Sequence, residues 1–214
     1  MSKNKMLERY FDKEKIEAGI DEAGRGPMFG RVYTAAVILP KDDSFKHELM
    51  KDSKRFHSKK KIKEAYDYIK ENAVSYSITY ADENIIDNIN IRQATLNSMH
   101  KSISGLDVQP TLLLVDGNDF KPYLRLDNNR LKPIEHVCIE GGDDKYTAIA
   151  AASILAKVER DAYIEDLCDR NPKLDQIYGI RHNKGYGTKK HLEAIEAHGI
   201  TEWHRKTYGI CRNY

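Results

Sequence analysis

The chain has 214 residues, room for one ordinary domain rather than two, and with 40% apolar residues it can bury a core, which excludes global disorder. Its 35 Lys and Arg against 33 Asp and Glu leave a net charge of +2, too near neutral to announce a polyanion partner except through local clustering. Three scattered cysteines (Cys138, Cys168, Cys211) offer neither a disulfide framework nor a close metal-ligating pair and imply a reducing, cytoplasmic setting, while the polar start over residues 1–10 and the lack of a long apolar run exclude a signal peptide and a membrane span.

Residues 16–21, half apolar, predict a first strand; a glycine-rich loop over 24–30 leads to a second over 32–39, stopped by Pro40. Residues 59–70 carry Ile62, Ala65, Tyr66 and Ile69 at helical spacing, and residues 74–80 alternate like a strand. A helix in two pieces, broken at Asn90, is predicted over 82–103. The apolar run 111–115, ending in Asp116 and Gly117, has the pattern of a strand buried on both faces, and 134–139 is a weaker strand. Residues 143–168, opened by Asp143 as a capping residue, predict a helix whose first half is apolar nearly all round and therefore buried. A loop over 181–187 and a helix over 188–197 follow. Strands interleaved with helices predict an α/β fold with a mixed central sheet.

Two of these strands end in acids, Asp21-Glu22 and Asp116. If they lie side by side and run the same way, they bring carboxylates to the sheet edge where open α/β sheets bind ligands. Clustered carboxylates repel one another, and their pKa values rise unless a cation sits among them. An all-oxygen set without His or Cys favours Mg²⁺ or Mn²⁺ over Zn²⁺. Taken singly, each acid reads more readily as an ordinary solvated turn residue, and Asp143 as an N-cap, than as a ligand. Asp21 and Glu22 also point to opposite faces of an ideal strand, so one centre holds both only if the chain bends, as Gly24 allows.

The runs Gly19-Ile20-Asp21-Glu22-Ala23-Gly24-Arg25-Gly26-Pro27, Asp52-Ser53-Lys54, Val115-Asp116-Gly117-Asn118, Gly142-Asp143 with the alanine-rich stretch Ala150 to Val158, and His182-Asn183-Lys184-Gly185-Tyr186-Gly187-Thr188 together resemble type 2 ribonuclease H, specifically ribonuclease HII. The resemblance covers residues 16–208. It implies an RNase H-like fold, a mixed central sheet flanked by helices, in a single catalytic domain over 1–214 with a helical C-terminal extension from about residue 165. It also implies a monomeric endonuclease dependent on Mg or Mn, with Asp21, Glu22, Asp116 and Asp143 as catalytic and metal-binding residues. The implied substrates are RNA:DNA hybrids and DNA duplexes containing ribonucleotides, cut on the 5′ side of the ribonucleotide to leave 3′-hydroxyl and 5′-phosphate ends. No recruiting protein is identified by any motif. Asp161 is expected to pair with a basic neighbour rather than join the acids. Three stretches depart from the family pattern: Met28 to Tyr33, Gly141, and Asp144 to Thr147. They bear on substrate preference, not on the chemistry.

Telling RNA from DNA must rest on the 2′-hydroxyl. By resemblance, Gly24-Arg25-Gly26 contacts that hydroxyl through its backbone, and Tyr186 packs against the deoxyribose just 3′ of the ribonucleotide. Lys54, Ser153 and Lys184 are substrate-binding candidates by motif position, and His182 is a further candidate near the scissile bond. A basic run, Lys51, Lys54, Arg55, Lys59, Lys60, Lys61 and Lys63, offers phosphate contacts. His191, His198 and His204 are expected on the surface. Two competing readings are a related nuclease that prefers long hybrids and a binding module that uses the basic face without cutting; the four acids argue against the latter.

Overall fold

The computed structural model describes residues 6–56 and 58–214, so the first five residues of the polar start lie outside it. β1 (Glu17–Ala23) pairs antiparallel with β2 (Val32–Ile38). After α1 (Lys59–Asn72), β3 (Ser75–Ala81) pairs antiparallel with β2 on its other side. α2 (Glu83–Ser104) then leads to β4 (Leu112–Asp116), which runs parallel to β1. A separate hairpin, β5 (Leu124–Asp127) with β6 (Arg130–Pro133), precedes β7 (Glu135–Ile139), parallel to β4. The five-stranded mixed sheet thus has the order β3-β2-β1-β4-β7, and the two acid-tipped strands are adjacent and parallel at its centre.

The pleat sorts side chains between two layers. Ala18 and Ile20 of β1, with Leu113 and Val115 of β4, pack on Leu96, Met99 and Ile103 of α2. The opposite face, with Tyr33, Ala35 and Val37 of β2, meets Ala65 and Ile69 of α1 and the alanine-rich half of α3 (Thr147–Arg170). A Cβ on Gly19 would collide with the Ala148 backbone, so a bare strand position and a row of small residues let α3 lie directly on β1. The predicted break in α2 is present: Asn90 has φ 65° and ψ 160°, and its side-chain oxygen accepts from the Gln93 amide at 3.1 Å, capping the second half.

α3 begins four residues later than its sequence suggests. A short 3₁₀ turn spans Gly142–Asp144 and the N-cap is Tyr146, so Asp143 does not cap the helix. Beyond α3 come α4 (Pro172–Tyr178), α5 (Ile180–Asn183) and α6 (Lys189–His198), where only a loop and one helix were expected. They close a third apolar cluster in which Phe29, fully buried, meets Ile164, Leu167, Tyr178 and Ile195. Burying such a ring contributes about 1.5–3 kcal/mol, so the departure at Met28 to Tyr33 serves packing. Arg31 in the same stretch lies between the Tyr80 and Tyr163 rings, 4.0 and 4.5 Å from their centroids. His191 and His204, expected on the surface, are 0% and 1% exposed; His198 is exposed as expected. The cysteines are free, and no helix among the described residues is long and apolar enough to cross a membrane.

Candidate active site

The register of β1 and β4 pairs Ile20 with Val115, so the next residues, Asp21 and Asp116, stand side by side where the pairing of the two strands ends. Their parity places both toward α3, and there Ser153 neighbours Asp21. Asp116 accepts the Gly142 amide at 2.7 Å, which draws the turn carrying Asp143 to the same edge. Glu22 faces the other way, into a cleft of about 280 Å³ against α2, where Asp116 is also among the lining residues. β1 continues through Ala23, so the bend at Gly24 follows both acids and does not gather them on one face. Asp116 stands between Asp21 and Glu22 as the shared neighbour.

The electrostatics of this edge are those of like charges without enough compensation. Burial, then the Glu22 and Asp116 charges, hold the Asp21 carboxyl well above the usual carboxylate range. Burial also raises Glu22, opposed by Arg25, whose guanidinium is 3.3 Å away. Asp143 is pushed up to about 6 by burial and next by Asp116. Lys54, exposed on a short 3₁₀ turn, faces Asp143, Asp21 and Asp116. Among the described residues, no three Asp, Glu, His or Cys side chains stand close enough to hold an ion as they are. The donor set nevertheless suits a hard divalent cation, being all carboxylate, and such a charge would relieve the raised proton affinity of Asp21, Glu22 and Asp143.

The Gly24 to Gly30 loop borders the acids. Gly24 has φ 95°, a conformation open to glycine, and a Cβ there would collide with the Arg160 side chain. Gly26 lies directly beneath Tyr186, whose Cε1 would be 3.3 Å from a Cβ at that position. Tyr186 is 53% exposed, as its glycine-flanked setting predicts. Two buried arginines hold the loop, neither of them apparent in the sequence motifs. Arg205, fully buried, donates to the carbonyls of Gly24, Arg25, Pro27 and Gly30 at 2.6–3.1 Å. Arg160, 2% exposed, donates to Phe29, Arg31 and Lys184 carbonyls, tying this loop to the one carrying Tyr186. Arg160 extends the buried stripe Ala152, Ala156, Ile164 of α3 at four-residue spacing, a signal the sequence does carry.

The remaining predicted residues are distributed around this edge. Ser153 is 6% exposed, bonded to Ser53 at 3.0 Å and beside Asp21, so it underlies the acids rather than opening to solvent. Lys184 pairs with Glu165 at 2.7 Å, and Glu165 also holds Arg181 and Lys59. Through Lys59, that ties the middle of the basic run to the Tyr186 loop. His182 is exposed on α5. Asp161 pairs with Lys157 at 2.6 Å, as expected.

The family model for ribonuclease HII matches residues 18–210. A ribonuclease HII from Cytophaga hutchinsonii is 46% identical, with 93% of this chain and 92% of that protein aligned. Among solved structures, the ribonuclease H2 of Pyrococcus horikoshii superposes with a TM-score of 0.73 at 21% identity, covering 92% of this chain and 95% of that one. The ribonuclease HII solved with PCNA from Archaeoglobus fulgidus does so with a TM-score of 0.70 at 26% identity, covering 91% and 96%. The mixed sheet with flanking helices and a helical C-terminal part is therefore the RNase H-like fold of those proteins. With carboxylates gathered at the central strand ends and a match along nearly its whole length, the chain belongs to the ribonuclease HII family and is an RNase H endonuclease, a phosphodiester hydrolase.

Proposed function

We propose that the chain uses divalent cations, Mg²⁺ or Mn²⁺, to cut the RNA strand of RNA:DNA hybrids and the 5′ side of ribonucleotides embedded in duplex DNA, leaving 3′-hydroxyl and 5′-phosphate ends. The observation that carries this reading is the juxtaposition of Asp21, Glu22, Asp116 and Asp143 with a carbonyl-anchored Gly24-Arg25-Gly26 backbone and an exposed aromatic ring above it. Two cations held by these carboxylates would supply an activated water and neutralise charge on the leaving oxygen.

The protein's own groups bind and orient. The Gly24-Arg25-Gly26 backbone reads the 2′-hydroxyl, since bare positions let a ribose approach closely. Tyr186 packs on the sugar that follows and favours a junction from RNA to DNA. Lys54 meets the phosphate beside the acids, Lys184 the neighbouring backbone, and Ser153 acts by keeping Asp21 in place. His182, exposed at the rim, is a candidate for proton transfer to the departing strand. We further read residues 1–214 as a single catalytic domain with a helical extension from about residue 165, acting as a cytoplasmic monomer.

The test is cleavage of two duplexes, one with a single embedded ribonucleotide and one a uniform hybrid, with Mg²⁺, with Mn²⁺ and with chelator. Metal-dependent cutting of both, 5′ to the single ribonucleotide, is the expected result. Cutting of the hybrid alone would replace this reading with a long-hybrid nuclease, and duplex binding without cutting would replace it with a binding module.

A further inference from the structure

A contacting pair of buried histidines lies outside the chemistry above. His191 Nε2 and His204 Nε2 are 3.0 Å apart, so one ring must donate and the other accept. The outer contacts settle which. The Thr201 amide donates to His204 Nδ1 at 2.9 Å, which leaves the proton of His204 on Nε2, aimed at His191. His191 therefore accepts at Nε2 and carries its proton on Nδ1, which donates to the Tyr186 carbonyl at 2.9 Å, an oxygen shared with the Thr188 amide. The result is a one-way hydrogen-bond chain from Thr201 to the backbone of Tyr186. Burial lowers the proton affinity of both rings, so the neutral forms this pattern needs are the ones present.

The same segment grips the other recognition element. Gly30 donates to the Trp203 carbonyl and Arg205 donates through its amide to Met28, at 2.9 Å each, while the Arg205 side chain holds Gly24, Arg25, Pro27 and Gly30. His204 packs edge-on against Phe29, ring centroids 5.0 Å apart. Residues 203–205 are thus the common frame on which the Gly24 to Gly30 loop and the Tyr186 loop are both mounted.

We propose that His191 and His204 are positioning residues for junction recognition: acting through the Tyr186 backbone, they set the height of the Tyr186 ring over Gly26 and so the enzyme's preference for an isolated ribonucleotide. This rests on the role assigned to Tyr186 under Proposed function.

Asn and Gln substitutions separate positioning from packing. An Asn amide nitrogen falls near the Nδ1 position of histidine and a Gln nitrogen near Nε2. The measured quantity is kcat/KM on the single-ribonucleotide duplex divided by kcat/KM on the uniform hybrid. Tyr186→Ala is expected to lower that ratio about tenfold, the order of one lost stacking contact. His191→Gln, which loses the donor to Tyr186, should approach the Tyr186→Ala value and add nothing on the Tyr186→Ala background. His191→Asn, which keeps that donor, should stay within about twofold of wild type. At His204 the order inverts: Gln, keeping the donor to His191, is retained and Asn is not. A packing role alone ranks the larger Gln above Asn at both sites, and that outcome overturns the proposal. Should the variants at His191 not fold, the pair at His204 decides it, since a further fall of His204→Asn on the Tyr186→Ala background rules out action through Tyr186. If Tyr186→Ala itself leaves the ratio unchanged, the fault lies in the role given to Tyr186, a different failure from a changed ratio there with no response at the histidines.

Discussion

The two charged regions flanking the Gly24-Arg25-Gly26 backbone are built on opposite principles. At the strand ends, Asp21, Glu22 and Asp143 are pushed toward their neutral forms by burial and mutual repulsion. Behind the loop, Arg160 and Arg205 are buried just as deeply, yet each has its guanidinium protons directed at main-chain carbonyls. The acids are left short of partners and the arginines are supplied with them. A strained carboxylate cluster has affinity to offer a cation, whereas a satisfied buried cation offers rigidity. Removing a charge should therefore have opposite consequences in the two places.

The largest expected effect is on turnover: Asp21→Asn should lower cleavage on the order of 10⁴-fold while duplex binding persists and thermal stability holds or rises. A stability loss at Asp21 would break the contrast. Arg205→Met should destabilise by about 3–5 kcal/mol in urea unfolding, because four carbonyls lose a charged donor at once. A near-native midpoint for that variant would show that the loop does not depend on it.

The acids also give the metal-free protein a distinctive pH response. Asp143 binds its proton up to about pH 6 when folded but releases it at its ordinary, lower value when unfolded. The folded state thus holds the extra proton, and this contribution is present at low pH and lost as pH rises through 6. It amounts to at most about 3 kcal/mol. Urea unfolding between pH 4 and 7 should show a fall in wild type relative to Asp143→Asn, and Mg²⁺ should shrink that difference; equal slopes would refute it. Smaller still, Tyr186→Ala should change stability by under about 0.5 kcal/mol, its ring being half exposed. Smallest is the exposed Lys60→Ala, expected to reduce the slope of log affinity against log salt by less than about 1.

The contrast also marks what the sequence could reveal. The acid-tipped strands were legible because an apolar run ending in Asp is local, and the two buried α3 and α2 faces follow from spacing. The β5–β6 hairpin went unread because Leu124 and Leu126 alternate with Arg125 and Asp127 on a surface ribbon where nothing apolar is buried. α4 and α5 are too short for helical periodicity to accumulate. His191, His204 and Arg205 were missed for a different reason: polar residues are read as solvated unless their partners are known, and theirs are carbonyls and each other. His191 did carry a hint, standing three and four residues before the buried Ala194 and Ile195 on α6.

Arg205 reaches carbonyls 180 and 181 positions earlier in the chain. At a translation rate of about 5–20 residues per second, some 10–40 s separate the synthesis of the two ends of that contact. The nascent polypeptide therefore exposes its acids long before the Gly24 to Gly30 loop can settle, and the anchoring of that loop is among the last steps the ribosome permits.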